Sequence, residues 1–361
     1  MNADTVGAAQ AHEVKHQRWT STSTGPLGAV TQIAPGFLAA ALIAAAAMAL
    51  ARVAPVVGAP VIAIVGGILV TLVRTPAATL RPGIGFAAKR VLQGSVVVLG
   101  LELSLQQVLN TGVSSLPVLL GTLALALVIA QLAGRALRLG SDLRVLIGNG
   151  TAICGASAIA ATDAVINAEE ADVSYAIATI FIFNVIAVLL YPTIGHALGL
   201  SQHSFGLWSG TAINDVSSVV AASTAYGHSA AAYGVIVKLT RTLAIIPISV
   251  ALATIRGYRR ERSAEAGGGT RLPLRQLVPF FIIAFLAAVT LNTVGAVPLS
   301  WHAGFNSLAT WMITIALAAI GLSTNVAHMR RAGLRPLALG AILWASVGLG
   351  SLGLQALTGT L

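Results

Sequence analysis

The sequence predicts an all-α, polytopic membrane protein with about eleven transmembrane helices in two inverted five-helix repeats that include discontinuous helices. Three observations lead there. The 361 residues are 56% hydrophobic and only 9% charged, with a mean hydropathy of +0.87, which is far too apolar for a water-soluble domain. Apolar runs of bilayer-spanning length recur from Phe37 to Thr358. The basic residues behind the net charge of +10 gather in the short stretches between those runs, where membrane topology rather than nucleic acid accounts for them.

In chain order, residues 1–25 are polar and rich in Ser, Thr and His, and read as a disordered cytoplasmic tail. Its polar lead is too long for a secretory signal. An extra N-terminal helix at 37–53 precedes a first repeat at 57–196, with spans at Val57–Val73, Phe86–Leu109, Leu116–Leu137, Leu143–Val165 and Val173–His196. The second repeat, at 206–358, holds Gly206–Tyr226, Ala230–Ile255, Leu274–Thr293, Phe305–Val326 and Leu334–Thr358. Arg74, Arg81, Lys89 and Arg90 precede the third span, Arg135, Arg138 and Arg144 join the fourth to the fifth, and Arg330, Arg331 and Arg335 join the last two. The loop with Arg259, Arg260, Arg262 and Arg271 around Gly267–Gly269 falls on the same face. By the positive-inside rule that face is cytoplasmic, with the N-terminus inside, the C-terminus outside, and an inner (plasma) membrane location. Asp163, Glu169, Glu170 and Asp172 then cluster on the opposite face as a solvated acidic loop.

Polar groups at membrane depth mark the candidate site. A charge at the centre of a spanning helix costs about 2.5–3.5 kcal/mol, so it persists only where it faces protein or a water-filled cavity. The run Gly206–Tyr226 carries Asn214, Asp215 and Ser217, and Ala230–Ile255 carries Lys238 and Arg241 on one helical face, able to meet one anion or one carboxylate together. A salt bridge from Asp215 to Lys238 or Arg241 is the structural alternative. Breaks are expected in the fifth span near Gly148–Gly155, with Asn149, Thr151, Cys154 and Ser157, and in the tenth at Gly321–Asn325, with Ser323 and Asn325. Freed backbone groups there must face ligand or water, although close packing of small residues is a competing explanation. The tetrapeptide Gly-Thr-Ala-Ile occurs at Gly150–Ile153 and again at Gly210–Ile213. It does not fit the five-span symmetry and reads as two similar polar linings. Glu102 is either a buried counter-ion or a residue that snorkels to the surface.

The pieces NGTAICGASAIAA, SGTAINDVSSVVAA, VKLTRTLAIIPISVALA and LAAIGLSTN, in this order and spacing, resemble the YeiH-type family of conserved bacterial membrane proteins, named for sulfate export. The likeness covers nearly the whole chain after the tail. It implies membership of a wider group of inverted-repeat transporters with two crossing broken helices, to which bile-acid symporters and sodium/proton antiporters belong. One departure is Gln93 in Lys89-Arg90-Val91-Leu92-Gln93, where the family pattern leads one to expect arginine.

Three function classes follow. A transporter of a small anion, sulfate-like or a sulfonate, would use Asn149, Thr151, Cys154, Ser157, Asn214, Ser217, Lys238, Arg241, Ser323 and Asn325 to bind substrate, with Asp215 and Glu102 in coupling. A cation/proton antiporter would use the Asn214–Asp215 pair. An intramembrane enzyme would need a nucleophile with a base, and Ser157, Ser217 and Cys154 have no histidine partner at membrane depth. The expected partners are a small inorganic or organic anion, H⁺ or Na⁺, the lipid bilayer and a second copy in a homodimer, with no nucleic acid. No enzymatic activity, cofactor or metal is expected: Cys154 is the single cysteine, and His196, His203, His228, His302 and His328 stand singly without ligand spacing.

Overall fold

A computed structural model describes residues 26–53, 58–262, 280–324 and 333–361. The tail, Arg271, Gly267–Gly269, Asn325, His328, Arg330 and Arg331 lie outside these described residues. The described residues form α-helices and no strand. In order these are α1 (Pro26–Val53), α2 (Ala59–Val73), α3 (Arg81–Phe86), α4 (Leu92–Gly100), α5 (Leu105–Ala136), α6 (Ser141–Ala152), α7 (Ala156–Ile166), α8 (Glu170–Ala197), α9 (Gln202–Ala212), α10 (Val216–Tyr226), α11 (His228–Thr242), α12 (Ile245–Arg262), α13 (Phe280–Thr293), α14 (His302–Ser323) and α15 (Leu334–Thr358). Six helical stretches are long and apolar enough to cross a membrane, and four shorter ones are equally apolar. The chain is thus a multi-pass membrane protein.

Local chemistry moves several boundaries from their sequence-based positions. Pro82 occupies the first turn of α3, where its missing N–H costs nothing, so the third helix begins at Arg81 and not at Phe86. A single π-turn, Ala87–Val91, joins α3 to α4 and carries Lys89 and Arg90 inside the helix. The chain then turns at Ser104, whose hydroxyl accepts from Gln107 N while the Gln107 side chain accepts from Ser104 N. This reciprocal cap starts α5 at Leu105, eleven residues before the expected Leu116.

Two packed bundles result. In the first, α1–α3 and α14 share a small-residue core that includes Ala40, Ala47, Ala63, Ile84, Ala87 and Ala318, and α4 and α13 join α14 through Leu92, Val96, Phe285, Val289 and Ile313. Gly67 of α2 and Gly321 of α14 let the two backbones touch: a Cβ on Gly321 would sit 2.3 Å from Ile64 O and 2.9 Å from Gly67 Cα. Close approach of this kind is how apolar helices gain contact where lipid removes the hydrophobic incentive. In the second bundle, α5–α12 pack with α15. The Trp208 indole donates to Gly348 O at 2.9 Å, and Tyr191 stacks on Trp208 at 4.2 Å. The bundles meet along a seam in which Ile64, Leu92, Val96 and Leu99 face Val188, Val220, Val235 and Leu239.

The largest departure from the sequence reading concerns the segments taken as the fifth and seventh spans, Leu143–Val165 and Gly206–Tyr226. Neither crosses straight through; each doubles back as a helical hairpin. In the second, Ser209 and Ser223 share a hydrogen bond at 2.7 Å, Phe205 stacks on Tyr226 at 3.8 Å, and the Gln202 side chain accepts from Ser229 N at 2.9 Å. Residues 205 and 226 of a straight helix would lie about 30 Å apart. In the first, Asn149 Nδ2 donates to Thr162 Oγ1 at 2.9 Å, and Leu143 and Val165 share one core cluster. Consequently the acidic cluster returns to the face from which α6 started, and Asp172 is within electrostatic reach of Asp142. The acidic residues therefore share a face with Arg138 and Arg144 instead of facing away from them.

In the tenth span α14 runs from His302 to Ser323 and ends at Thr324, inside the expected window Gly321–Asn325; residues 325–332 lie outside the described residues. The second interruption falls at Ile213–Asp215, between α9 and α10, at the end of the second Gly-Thr-Ala-Ile. The two copies of that tetrapeptide, which read in the sequence as two similar polar linings, end the first arms of the two hairpins at equivalent positions.

Candidate functional site

The two hairpin tips, Ile153–Gly155 and Ile213–Asp215, face each other. Gly155 takes φ +71°, a conformation that side-chain-bearing residues rarely adopt, and a Cβ there would lie 3.1 Å from the Cβ of Asp215. Each tip presents one helix C-terminus and one helix N-terminus to the middle of the protein.

The C-termini of α6 and α9 are held by Lys238 and Arg241, both fully buried. Lys238 Nζ donates to Ile153 O and Ile213 O, each at 2.8 Å. The Arg241 guanidinium donates to Thr151 O at 3.1 Å and also to Ala152 O and Thr211 O. Five carbonyls freed by the two helix ends are thereby bonded to fixed donors, and the negative ends of both helix dipoles meet positive side chains. The anion-holding role expected of Lys238 and Arg241 is thus set beside a second one, closing the two helix ends. Their donors are turned to backbone carbonyls, and neither side chain is among those lining the cavity beside them. Asp215 forms no ion pair with Lys238 or Arg241 in this structure, its carboxylate being taken by Ser217 and Ser218, while Glu102 pairs with His228 at 3.1 Å. Glu102 sits at the end of α4, away from the tips, so its assignment to coupling at the central site is not supported by its position.

Beside the clasp lies a cavity of about 360 Å³ on the seam between the bundles. The hairpins contribute Cys154, Ser157, Asp215, Ser217 and Ser218. From α8 comes Asn184, and from the opposite bundle come Lys89, Gln93 and Ser323. The N-terminus of α7 borders this space, with Ala156 and Ser157 of its first turn in the lining. The α10 N-terminus is capped by Asp215, whose carboxylate accepts from Ser218 N at 2.9 Å, from Ser218 Oγ at 2.8 Å and from the Ser217 hydroxyl.

Of the predicted residues, Cys154, Ser157, Asp215, Ser217 and Ser323 come together at the cavity. Asn149 is spent within its own hairpin on Thr162, Thr151 offers its carbonyl to Arg241, and Asn214 takes Asn184 Oδ1 with its backbone N–H at 3.1 Å. These three are buried and shape the tips without lining the cavity. Asn325 lies outside the described residues. Asn184 and Ser218 do not stand out as lining in the sequence, where Lys89 reads as a topology marker and Gln93 as a departure from the family pattern. A signal existed for Asn184, a lone carboxamide in the apolar run Ile180–Leu190, where an isolated polar group is costly unless it has a task.

The profile of the family described as conserved hypothetical protein 698 matches residues 35–340. A UPF0324 membrane protein of Streptococcus agalactiae serotype V is 39% identical over 333 residues, covering 90% of this chain and 98% of the relative. One of Streptococcus pneumoniae serotype 4 is 42% identical, covering 90% and 97%. One of Fusobacterium nucleatum is 39% identical, covering 84% and 92%.

Proposed function

The chain belongs to the conserved hypothetical protein 698 family of membrane proteins, and from that premise we propose that it is a secondary transporter, not an enzyme, that moves a small anion, sulfate-like or a sulfonate, across the inner membrane. The observation that carries this reading is the pair of hairpin tips meeting at a polar cavity on the seam between two bundles. Irregular backbone at membrane depth is tolerated only where it is buried or lines a water-filled path. A cavity on a seam can open to either side by a shift of one bundle against the other.

The chemistry of the cavity favours an anion. Lys89 supplies a cation, α7 brings the positive end of its dipole, and Ser157, Ser217, Ser218, Ser323, Gln93 and Asn184 supply neutral donors. Asp215 stands in the same cavity and would repel that anion when ionised. Two like charges in one site disfavour one another, so an anion arriving there is joined by a proton on Asp215, which gives a basis for proton coupling.

We read the topology as nine through-going passes with two re-entrant hairpins in place of eleven passes. The first hairpin opens on the face where α5 ends, and the second on the face where α8 ends. Each is followed by a helix packed along its first arm, so α6–α8 and α9–α11 form an inverted pair smaller than the five-helix repeats expected. Arg74, Arg81, Arg135, Arg138, Arg144 and Arg335 then share the cytoplasmic face, and the C-terminus lies outside.

The test is uptake into proteoliposomes with a panel of oxyanions and sulfonates under imposed pH gradients. Accumulation of an anion driven by an inward proton gradient is expected, and Asp215→Asn should keep anion binding while losing its pH dependence. Exchange of Na⁺ for protons, with no anion moved, would make Asp215 the centre of a cation antiporter instead.

A further inference from the structure

We propose that Lys238 is a tethered cation standing where a mobile coupling metal ion would sit at the meeting of the hairpins, so that this chain works without sodium. The inference rests on the transporter reading above and adds the coupling ion to it. Where a helix breaks inside a membrane, the carbonyls at the end of its first arm carry roughly half a negative charge and have no water to turn to. A bound monovalent cation is one common answer, ligated by such unwound carbonyls. Here two of these ends, α6 and α9, meet at one point, which doubles the demand for positive charge.

The carbonyls that a metal would use are already taken. Lys238 Nζ lies 2.8 Å from Ile153 O of one tip and 2.8 Å from Ile213 O of the other, so a single ammonium bridges both hairpins. Arg241 covers the preceding carbonyls of Thr151, Ala152 and Thr211. The two bridged residues occupy the same place in the two Gly-Thr-Ala-Ile copies, so the ammonium sits on the local axis relating the tips. Asp215 is within electrostatic reach of Lys238, which gives the crossing a carboxylate of the kind that would accompany a metal. The Lys238 side chain is fully buried, so the ammonium fills this position in the structure. Removing the ammonium leaves two opposed carbonyls and a nearby carboxylate, a ligand set suited to a small hard cation.

The experiment measures thermal unfolding of the purified full-length protein in sodium, lithium, potassium and choline chloride at equal ionic strength, for wild type, Lys238→Ala, Lys238→Ser and Lys238→Arg. Wild type and Lys238→Arg should give the same midpoint in all four salts. Lys238→Ala and Lys238→Ser should unfold earlier in choline and regain part of the loss in sodium or lithium, saturably. A saturable, sodium-selective rise in the wild-type midpoint overturns the proposal, as does a midpoint in the folded Ala and Ser variants that ignores the cation. Should neither neutral variant fold, wild-type uptake decides: transport unchanged when choline replaces sodium supports the tethered cation, and transport lost overturns it. Failure of the transporter reading itself would show as no solute moved in any salt, with the unfolding data unaffected.

Discussion

Lys238 and Arg241 show how one pair of residue types can serve opposite ends. Two cations on one helical face at membrane depth are what an anion site needs, and they are equally what two helix C-termini need. Partners decide between the two. With Thr151, Ala152 and Thr211 carbonyls on Arg241, its removal orphans buried acceptors at about 1–3 kcal/mol each. Arg241→Gln should therefore lower the unfolding midpoint sharply and reduce the yield of folded protein, as read by thermal unfolding in detergent. A stable Arg241→Gln protein that has merely lost anion binding would return the residue to the substrate site. Lys89 is the converse case, since its side chain is exposed on the cavity wall and pairs with no acceptor among the described residues. Lys89→Gln should leave stability unchanged and weaken anion affinity about tenfold, the scale of one charge-assisted hydrogen bond of about 1.5 kcal/mol or more. Equal affinity in the two proteins would move the anion away from α3–α4.

The hairpin is the decisive element. Ser209 and Ser223 touch at 2.7 Å across its two arms, whereas a straight helix would hold them about 21 Å apart. A Ser209→Cys, Ser223→Cys pair on a Cys154→Ser background should close a disulfide under mild oxidation, detected as the loss of free thiols. Persistence of both thiols would argue for a straight span. The tip itself depends on Gly155, where φ +71° suits glycine and where a methyl group would press on Asp215. Gly155→Ala should cost about 1–3 kcal/mol from backbone strain, and it should abolish uptake by pushing the tips apart. The element's boundaries were partly written in the sequence. Asp215 with Ser218 is an N-cap, and Gly150–Ile153 repeats at Gly210–Ile213. What the sequence does not carry is the direction of the second arm. An apolar run of bilayer length reads alike whether it continues or folds back, because both forms bury the same residues.

At the scale of the whole molecule, replacing two spans by hairpins leaves both termini on their expected faces and inverts only the stretch between. Asn167 passes to the basic face and Leu198 to the opposite one. Single cysteines at these positions, labelled with membrane-impermeant reagents in inside-out and right-side-out vesicles, should report Asn167→Cys from the cytoplasmic side and Leu198→Cys from the outer side. The reverse pattern would restore eleven straight passes. The two-bundle arrangement also accounts for the position of the cavity. Helices within each bundle interlock through close backbone contacts such as Gly67 with Gly321, whereas the seam is packed by side chains of Ile64, Leu92, Val96 and Val220.

Composition settled that this chain lives in a membrane, and the length of its apolar runs settled that it is helical, because runs of about twenty residues far exceed the roughly nine to eleven that a barrel strand needs to cross. Local patterns gave most helices, the break after Ala152, and five residues of the cavity wall: Cys154, Ser157, Asp215, Ser217 and Ser323. The rest waited for tertiary structure for one physical reason. At membrane depth a polar side chain can meet a substrate, a neighbouring helix end or its own hairpin, and the sequence states the need for a partner without naming it. Asn149 found Thr162, Lys238 found Ile153 and Ile213, and Lys89 and Gln93 were brought from a different bundle to face the tips. Those pairings join residues far apart in the chain, and only the packing of one bundle on the other brought them together.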